Sequence, residues 1–75
     1  MAIVRLHLTL IEMAGGKKEL TIDAGNPVFL KELLDRLGVP EDQVGIIIRN
    51  GRWEVRDCMI YDDDVVELFP LLSGG

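Results

Sequence analysis

Three side chains of this sequence are of types that form nucleophile–base pairs, namely Cys58, Ser73 and His7. A thiol or hydroxyl becomes a useful nucleophile only beside a base that accepts its proton or a cation that lowers its pKa. No neighbour in the sequence would orient the ring of His7, so we interpret it as an ordinary surface or semi-buried side chain. Cys58 has only Arg56 as a nearby cation, which favours a packed, inert thiol. Nucleophilic catalysis by the chain itself is therefore a weak hypothesis.

Two further motifs would suit ions. The Asp-Asp-Asp run at residues 62–64 offers three carboxylates, but adjacent carboxylates cannot all converge on one cation, and the spacing is not that of a calcium loop. The Gly-Gly-Lys-Lys run at residues 15–18 is similar to a phosphate cradle, yet it lacks the full P-loop spacing and precedes a strand. We predict a solvated acidic turn and a mobile hairpin loop, with no metal site at either.

The C-terminal residues suggest a different chemistry. A carboxylate that enters another protein's active site needs a narrow stem, and Gly74 and Gly75 have no Cβ to block a channel. Pro70 would stiffen the base of such a tail, while Leu71 and Leu72 would offer apolar grip. The six residues from Pro70 onwards reach about 20 Å when extended. A frayed terminus that happens to be glycine-rich is the alternative, and the dipeptide alone does not decide between the two.

The first half of the chain predicts a hairpin followed by a helix. Residues 3–10 and 19–23 each alternate between apolar and polar side chains, which is typical of half-buried strands. Asn26 followed by Pro27 is a helix-start signal, and Gly38 is a stop signal. The helix between them presents one apolar face, formed by Leu30, Leu33, Leu34 and Leu37.

The second half predicts three strands. Residues 44–48 are β-branched apart from Gly45, and they lead into Asn-Gly at residues 50–51, a strong hairpin signal. A short partner strand is expected at residues 52–55, and a final strand at residues 65–69, whose apolar content places it near the sheet centre. This order fits an α+β fold with a mixed four- to five-stranded sheet and one helix packed across it.

Length and composition exclude several functions. A chain of 75 residues, 48% hydrophobic and 28% charged, makes one small domain, which we assign to residues 1–69 with a flexible tail at 70–75. A core of this size argues against a walled catalytic cavity, and a formal net charge of −5 without a basic run argues against nucleic-acid binding. No apolar run approaches the roughly 20 residues of a membrane span. One cysteine allows no internal disulfide, so a reducing, cytoplasmic setting is expected.

Three segments together resemble the MoaD/ThiS family of ubiquitin-like, β-grasp sulfur carriers: residues 47–51, residues 63–67 and residues 68–75. The resemblance covers essentially the whole chain, and the last segment is its most specific part. Phe69-Pro70, an apolar pair and the final Ser-Gly-Gly look most like the small subunit of molybdopterin synthase. The Asn-Gly hairpin and the short chain look more like the carrier of thiamin synthesis.

The resemblance implies a carrier and not a stand-alone catalyst. Gly75 would be adenylated by a ubiquitin-activating-type partner that uses Mg-ATP, then converted to a thiocarboxylate by a persulfide donor, with Gly74 as the stem. The residues implied to bind partners are Phe69, Pro70, Leu71, Leu72 and Ser73. The chain itself would bind no metal or cofactor, and the acceptor would sit in the large subunit of molybdopterin synthase.

Several alternatives stay open. A carrier for thiamin thiazole, acting with a thiazole synthase, or for cysteine synthesis would use the same tail chemistry. A ubiquitin-like modifier would instead join Gly75 to a lysine through an isopeptide bond. A plain β-grasp interaction domain would use its sheet face and leave the tail chemically idle.

Overall fold

The computed structural model describes residues 1–71, which form an α+β fold of seven short strands and two helices. The helices span Thr9–Met13 (α1) and Leu30–Leu37 (α2), with a 3-10 turn at Glu41–Gln43. The strands span Ala2–Leu6 (β1), Glu19–Ile22 (β2), Val28–Phe29 (β3), Val44–Arg49 (β4), Arg52–Trp53 (β5), Met59–Ile60 (β6) and Val65–Pro70 (β7). The predicted residues Leu72, Ser73, Gly74 and Gly75 lie outside the described part of the chain.

Five strands form a mixed sheet in the order β2-β1-β7-β4-β5. β7 pairs in parallel with β1 and antiparallel with β4, so the last strand lies at the centre of the sheet as predicted. β1 pairs antiparallel with β2, and β4 with β5. β3 and β6 form a separate two-residue ladder. The predicted fold class, a mixed sheet with one principal helix, is confirmed.

The first strand is shorter than predicted, because the chain leaves the sheet at His7 and forms a helix. Leu8 has a positive φ of 55° and is 62% exposed, which breaks the alternation expected up to residue 10. α1 follows, and it places Leu10 and Ala14 in the core one helical turn apart. The predicted pairing of the first two strands is correct, but their connection contains a helix as well as a glycine turn.

The principal helix begins later than predicted. Asn26 and Pro27 do not start it, because Val28–Phe29 first pairs with Met59–Ile60 as β3. A tertiary ladder therefore overrides a local cap signal. The predicted end of this helix is correct, since Gly38 adopts the left-handed conformation with a φ of 76°.

The apolar face of α2 packs on one side of the sheet. Leu30, Leu33 and Leu34 are buried as predicted, and Leu37 is half-buried. They share one core with the residues of β1, β4 and β7 that face the same side, namely Ala2, Val4, Leu6, Val44, Ile47, Val66 and Leu68. The opposite side of the sheet has no helix of the described chain over it, and we call it the open face.

The predicted Asn-Gly turn joins β4 to β5. Asn50 and Gly51 both have positive φ, 54° and 80°, which is the backbone of a type I′ hairpin. β5 contains only Arg52–Trp53, two residues fewer than expected at its end. Glu54 still donates its backbone N–H to the carbonyl of Ile47 at 2.9 Å, so the strand is continued by a single further bond.

Candidate functional site

The predicted site residues begin at the end of β7. β7 includes Pro70, one residue beyond the predicted end, and Pro70 is buried. Its nitrogen faces the side of β1, but β1 has already ended at Leu6, so the missing N–H removes no ladder bond. The next residue turns back towards β4, because Leu71 donates its N–H to the carbonyl of Gln43 at 2.9 Å.

Gly45 lies directly beside the backbone of Pro70 and Leu71. The register between β4 and β7 shifts between Val44 and Ile46, which leaves Gly45 as an extra residue of β4. A Cβ at Gly45 would lie 2.9 Å from both Leu71 Cα and the Pro70 carbonyl oxygen. Only a glycine fits beside this backbone. The sequence carried a signal for it, a lone glycine in a β-branched run, although the prediction drew no site from it.

Arg56 holds the other side of the same segment. Its Nη2 donates to the carbonyl of Val44 at 2.8 Å, and its Nη1 reaches the carbonyl of Glu41 at 3.5 Å. The guanidinium therefore caps the outer edge of β4 where β5 has ended. The sequence indicates Arg56 only as a cation near Cys58, and the structure gives it this different role.

His7 and Phe69 meet on the open face near the end of β7. Their rings stack with centroids 4.2 Å apart and an angle of 3° between planes. His7 Nε2 also lies 3.2 Å from Glu67 Oε1. His7 is half-buried, as predicted, and no sequence neighbour orients it; its partners come from β7, and Glu67 lies 60 residues later in the chain.

An apolar strip crosses the rest of the open face, formed by Phe69, Ile46, Ile48 and Trp53. Ile46 is paired with Phe69, and Ile48 with Trp53, so the four side chains come from three adjacent strands. Trp53 is 75% exposed at the edge of the sheet. No sequence pattern indicates this strip, because the pairing of β4 with β5 and β7 creates it.

The acidic turn is only partly solvated, which corrects the prediction. Asp64 is buried and accepts hydrogen bonds from Tyr61 N–H, Asn50 Nδ2 and Arg49 Nη1 at 2.8, 2.8 and 3.2 Å. Burial alone would raise the pKa of Asp64, but these three donors lower it below its ordinary value. Asp62 is exposed and pairs with the N-terminal ammonium of Met1 at 2.6 Å.

Cys58 is the remaining candidate nucleophile within residues 1–71. Cys58 is buried, and this burial raises the pKa of its thiol, which agrees with the predicted packed and inert side chain. Residues 1–71 contain no group of three metal-ligating side chains. None of the helices in that range is long and apolar enough to cross a membrane.

Known structures of the same architecture exist, although no family model and no curated protein matches the chain. Two crystal structures of small archaeal modifier protein 1 from Haloferax volcanii match with a TM-score of 0.68 at 24% and 21% identity. The alignments cover 99% and 95% of this chain and 98% and 97% of theirs. The chain has the ubiquitin-like β-grasp fold. A third β-grasp structure, assigned as molybdopterin converting factor subunit 1 of Pyrococcus furiosus, matches with a TM-score of 0.61 at 23% identity, covering 95% of this chain and 97% of that one.

Three of the predicted site residues lie in the part of the chain that the structure describes. Phe69, Pro70 and Leu71 lie in sequence at the end of the central strand, with Phe69 on the open face, Pro70 buried and Leu71 exposed. The roles assigned to Gly74 and Gly75 stay predictions, as does the division of the chain at residue 70.

Proposed function

We propose that the chain is a sulfur carrier whose C-terminal carboxyl group is activated and thiolated, with molybdopterin synthesis as its pathway. One observation carries the proposal: the central strand ends at Pro70, directly after Phe69 of the apolar strip, so the last described residues adjoin a docking surface. The β-grasp fold, which this chain shares with a molybdopterin converting factor subunit, supports the same role.

The proposed chemistry has two steps and uses the carboxylate of Gly75. First, the carboxylate attacks the α-phosphate of ATP, which releases pyrophosphate and leaves an acyl-adenylate. The terminal sulfur of a persulfide then attacks the acyl carbon and displaces AMP, and a thiol cleaves the resulting acyl disulfide to leave a thiocarboxylate. No side chain of the carrier takes part, because the partner enzyme supplies Mg-ATP and the catalytic groups.

The open face supplies the proposed docking surface for those partners. An exposed tryptophan beside isoleucine and phenylalanine side chains is the kind of anchor that protein interfaces favour. The proposed partners are a ubiquitin-activating-type adenylating enzyme, a persulfide donor and the large subunit of molybdopterin synthase. A thiazole synthase is the corresponding acceptor if the pathway is that of thiamin, and cysteine synthesis is the third carrier pathway.

A ubiquitin-like modifier is the second candidate function. Two structural neighbours are small archaeal modifier protein 1, and adenylation of Gly75 is chemically sufficient for transfer to a lysine amine. In this case Gly75 forms an isopeptide bond with a lysine Nζ and AMP leaves. The two candidates share the activation step and differ in the nucleophile that follows.

The decisive experiment is the mass of the intact chain after incubation with Mg-ATP, an adenylating enzyme of the same organism and a sulfur donor. We expect one oxygen to be exchanged for sulfur at Gly75. Oxidation of a methionine gives the same nominal mass change, and the tryptic peptide that follows Arg56 contains Met59. Fragment ions from the region after Pro70 therefore have to locate the change on Gly75.

Removal of Gly75 is the matched variant. The deletion should abolish the mass change completely while the free energy of unfolding stays within about 0.5 kcal/mol, because the core of the described chain is formed by residues 2–68. Lysine-linked conjugates in place of thiocarboxylate would favour the modifier. No change at Gly75, with an enzyme active on another carrier, would contradict both and leave the sheet-face binding module.

A further inference from the structure

The backbone at Pro70 and Leu71 is more closely constrained than packing of the domain requires. Leu71 is exposed, so its contact with β4 buries little apolar surface. Yet its N–H binds Gln43 at 2.9 Å, and the backbone at Pro70–Leu71 leaves no room for a Cβ at Gly45. Because this contact buries little surface but fixes the backbone at Leu71, its main effect is on the direction of the backbone there.

The conformation of Gly45 rules out the usual reason for a glycine. Its φ is outside the left-handed region, so alanine could adopt the same backbone there. The requirement comes from the two backbone atoms that a Cβ would approach to 2.9 Å, Leu71 Cα and the Pro70 carbonyl oxygen. Backbone atoms cannot move aside as a flexible side chain can, so an added methyl group must displace the last residues of β7 or the bulge of β4.

Arg56 fixes the opposite side of this contact. Its bonds to the carbonyls of Val44 and Glu41 hold the segment that contains Gln43, the acceptor for Leu71. β4 has no β5 partner at this height, so without Arg56 the Val44 carbonyl would lose its bonding partner at the sheet edge. The guanidinium therefore acts on the position of Leu71 through the segment at residues 41–44.

We infer that Gly45 and Arg56 are positioning residues that set the point and direction at which the C-terminal carboxyl group is presented to the activating enzyme. The inference rests on the proposed function. With Leu71 held, four residues carry the carboxyl group and span at most about 14 Å. If Pro70 and Leu71 detach, six residues span about 20 Å, and the carboxyl group explores a larger volume in more orientations.

The test compares full-length variants in ATP–pyrophosphate exchange with the adenylating enzyme, at varied carrier concentration. In Gly45→Ala we expect kcat to fall by at least about twofold, because the segment beyond the last held residue lengthens from four residues to six. The fall reaches up to about a hundredfold if the carboxyl group is misplaced by about 1 Å. KM should stay unchanged, because the open face is intact. Gly25→Ala is the matched control, since Gly25 also lacks a positive φ and its added Cβ would meet only the Asp23 side chain.

A second readout reports on the contact itself. Hydrogen exchange of the Leu71 amide should accelerate at least about tenfold in Gly45→Ala, while amides of β1 keep their protection. Arg56→Met retains the aliphatic stem but removes both hydrogen bonds, and it carries the test if Gly45→Ala does not fold. Arg56→Lys, which keeps one donor group, should recover part of the loss in kcat.

The outcomes separate the inference from the function on which it rests. Wild-type kcat together with a protected Leu71 amide in Gly45→Ala would overturn the inference alone. A raised KM at unchanged kcat would also overturn it, because a smaller folded fraction of carrier produces that pattern. A wild-type chain that is not activated by a competent enzyme would overturn the proposed function, and the positioning role with it.

Discussion

Asp64 shows how one carboxylate can determine the geometry of a turn. Among residues 1–71, Asp64 is the one charged residue that is buried. The groups that donate hydrogen bonds to it come from the turn itself, from the end of β4 and from the hairpin that follows β4. Asn50 takes part twice, since its side-chain oxygen also accepts the N–H of Val65 at 2.9 Å. The Asn-Gly hairpin and the start of the central strand are therefore tied together through polar groups.

We expect Asp64→Asn to lower the free energy of unfolding at pH 7 by about 1–3 kcal/mol, because the charged hydrogen bonds of a buried carboxylate are lost. The folded-state pKa of Asp64 lies below its ordinary value, so the carboxylate contributes this stability above about pH 4. The contribution disappears as the pH falls through the folded-state pKa. The difference between wild type and variant in urea unfolding should therefore shrink towards pH 2.

Asp63→Asn is the control for that series. It removes the same charge from a neighbouring side chain that is 94% exposed, and asparagine tolerates the positive φ of 68° found there. We expect a change below about 0.5 kcal/mol. Equal losses from the two variants at pH 7 would mean that net charge, and not the hydrogen bonds of Asp64, is responsible.

At the scale of elements, the sequence predicted those parts whose signals are local and periodic. The helical spacing of the leucines, the Asn-Gly turn and the apolar final strand all correspond to structure. The errors arose where a distant partner decides. Val28–Phe29 forms a strand because Met59–Ile60 lies opposite, and the Asn26-Pro27 cap signal gives way to that ladder.

The candidate site was less predictable than the fold for the same reason. Its terminal residues were identified from their types, but the groups around them come from elements far apart in sequence. Gly45 matters because β7 ends beside it, and His7 because Phe69 stacks on it. Neither pairing has a period or a turn motif that a single sequence displays.

The packing of α2 gives a prediction at this scale. Leu33→Ala should lower the free energy of unfolding by about 2–5 kcal/mol, since Leu33 is fully buried in the core. Leu37→Ala makes the same chemical change on the same helix, but Leu37 is half-buried, so its loss should be clearly smaller. Urea unfolding of both variants measures the difference. Equal losses would contradict the assignment of the Leu33 face as the one against the sheet.

For the molecule as a whole, net charge and the open face have different roles in the proposed docking. A formal net charge of −5 on 75 residues would attract a basic partner surface before any contact forms. The apolar strip would then supply contacts that salt does not screen. Long-range attraction therefore affects the rate of association more than the lifetime of the complex.

We expect the second-order rate constant for activation by the adenylating enzyme to fall about tenfold between 0.02 and 0.2 M salt, because the screening length shortens over that range. Stopped-flow association measures this rate. The free energy of unfolding over the same range is the control, since the fold has to stay unaffected. A rate that does not change with salt would mean that charge plays no part in the encounter.

The central position of β7 has a consequence for folding during synthesis. β1 and β4, which flank it, have no partner for their facing edges until Val65–Pro70 has been synthesised. A nascent chain cannot close this sheet stepwise from its N-terminus, as a domain of sequential hairpins can. Two hydrophobic strand edges therefore stay open on the ribosome until the final strand emerges, and that interval is when the chain most needs protection from aggregation.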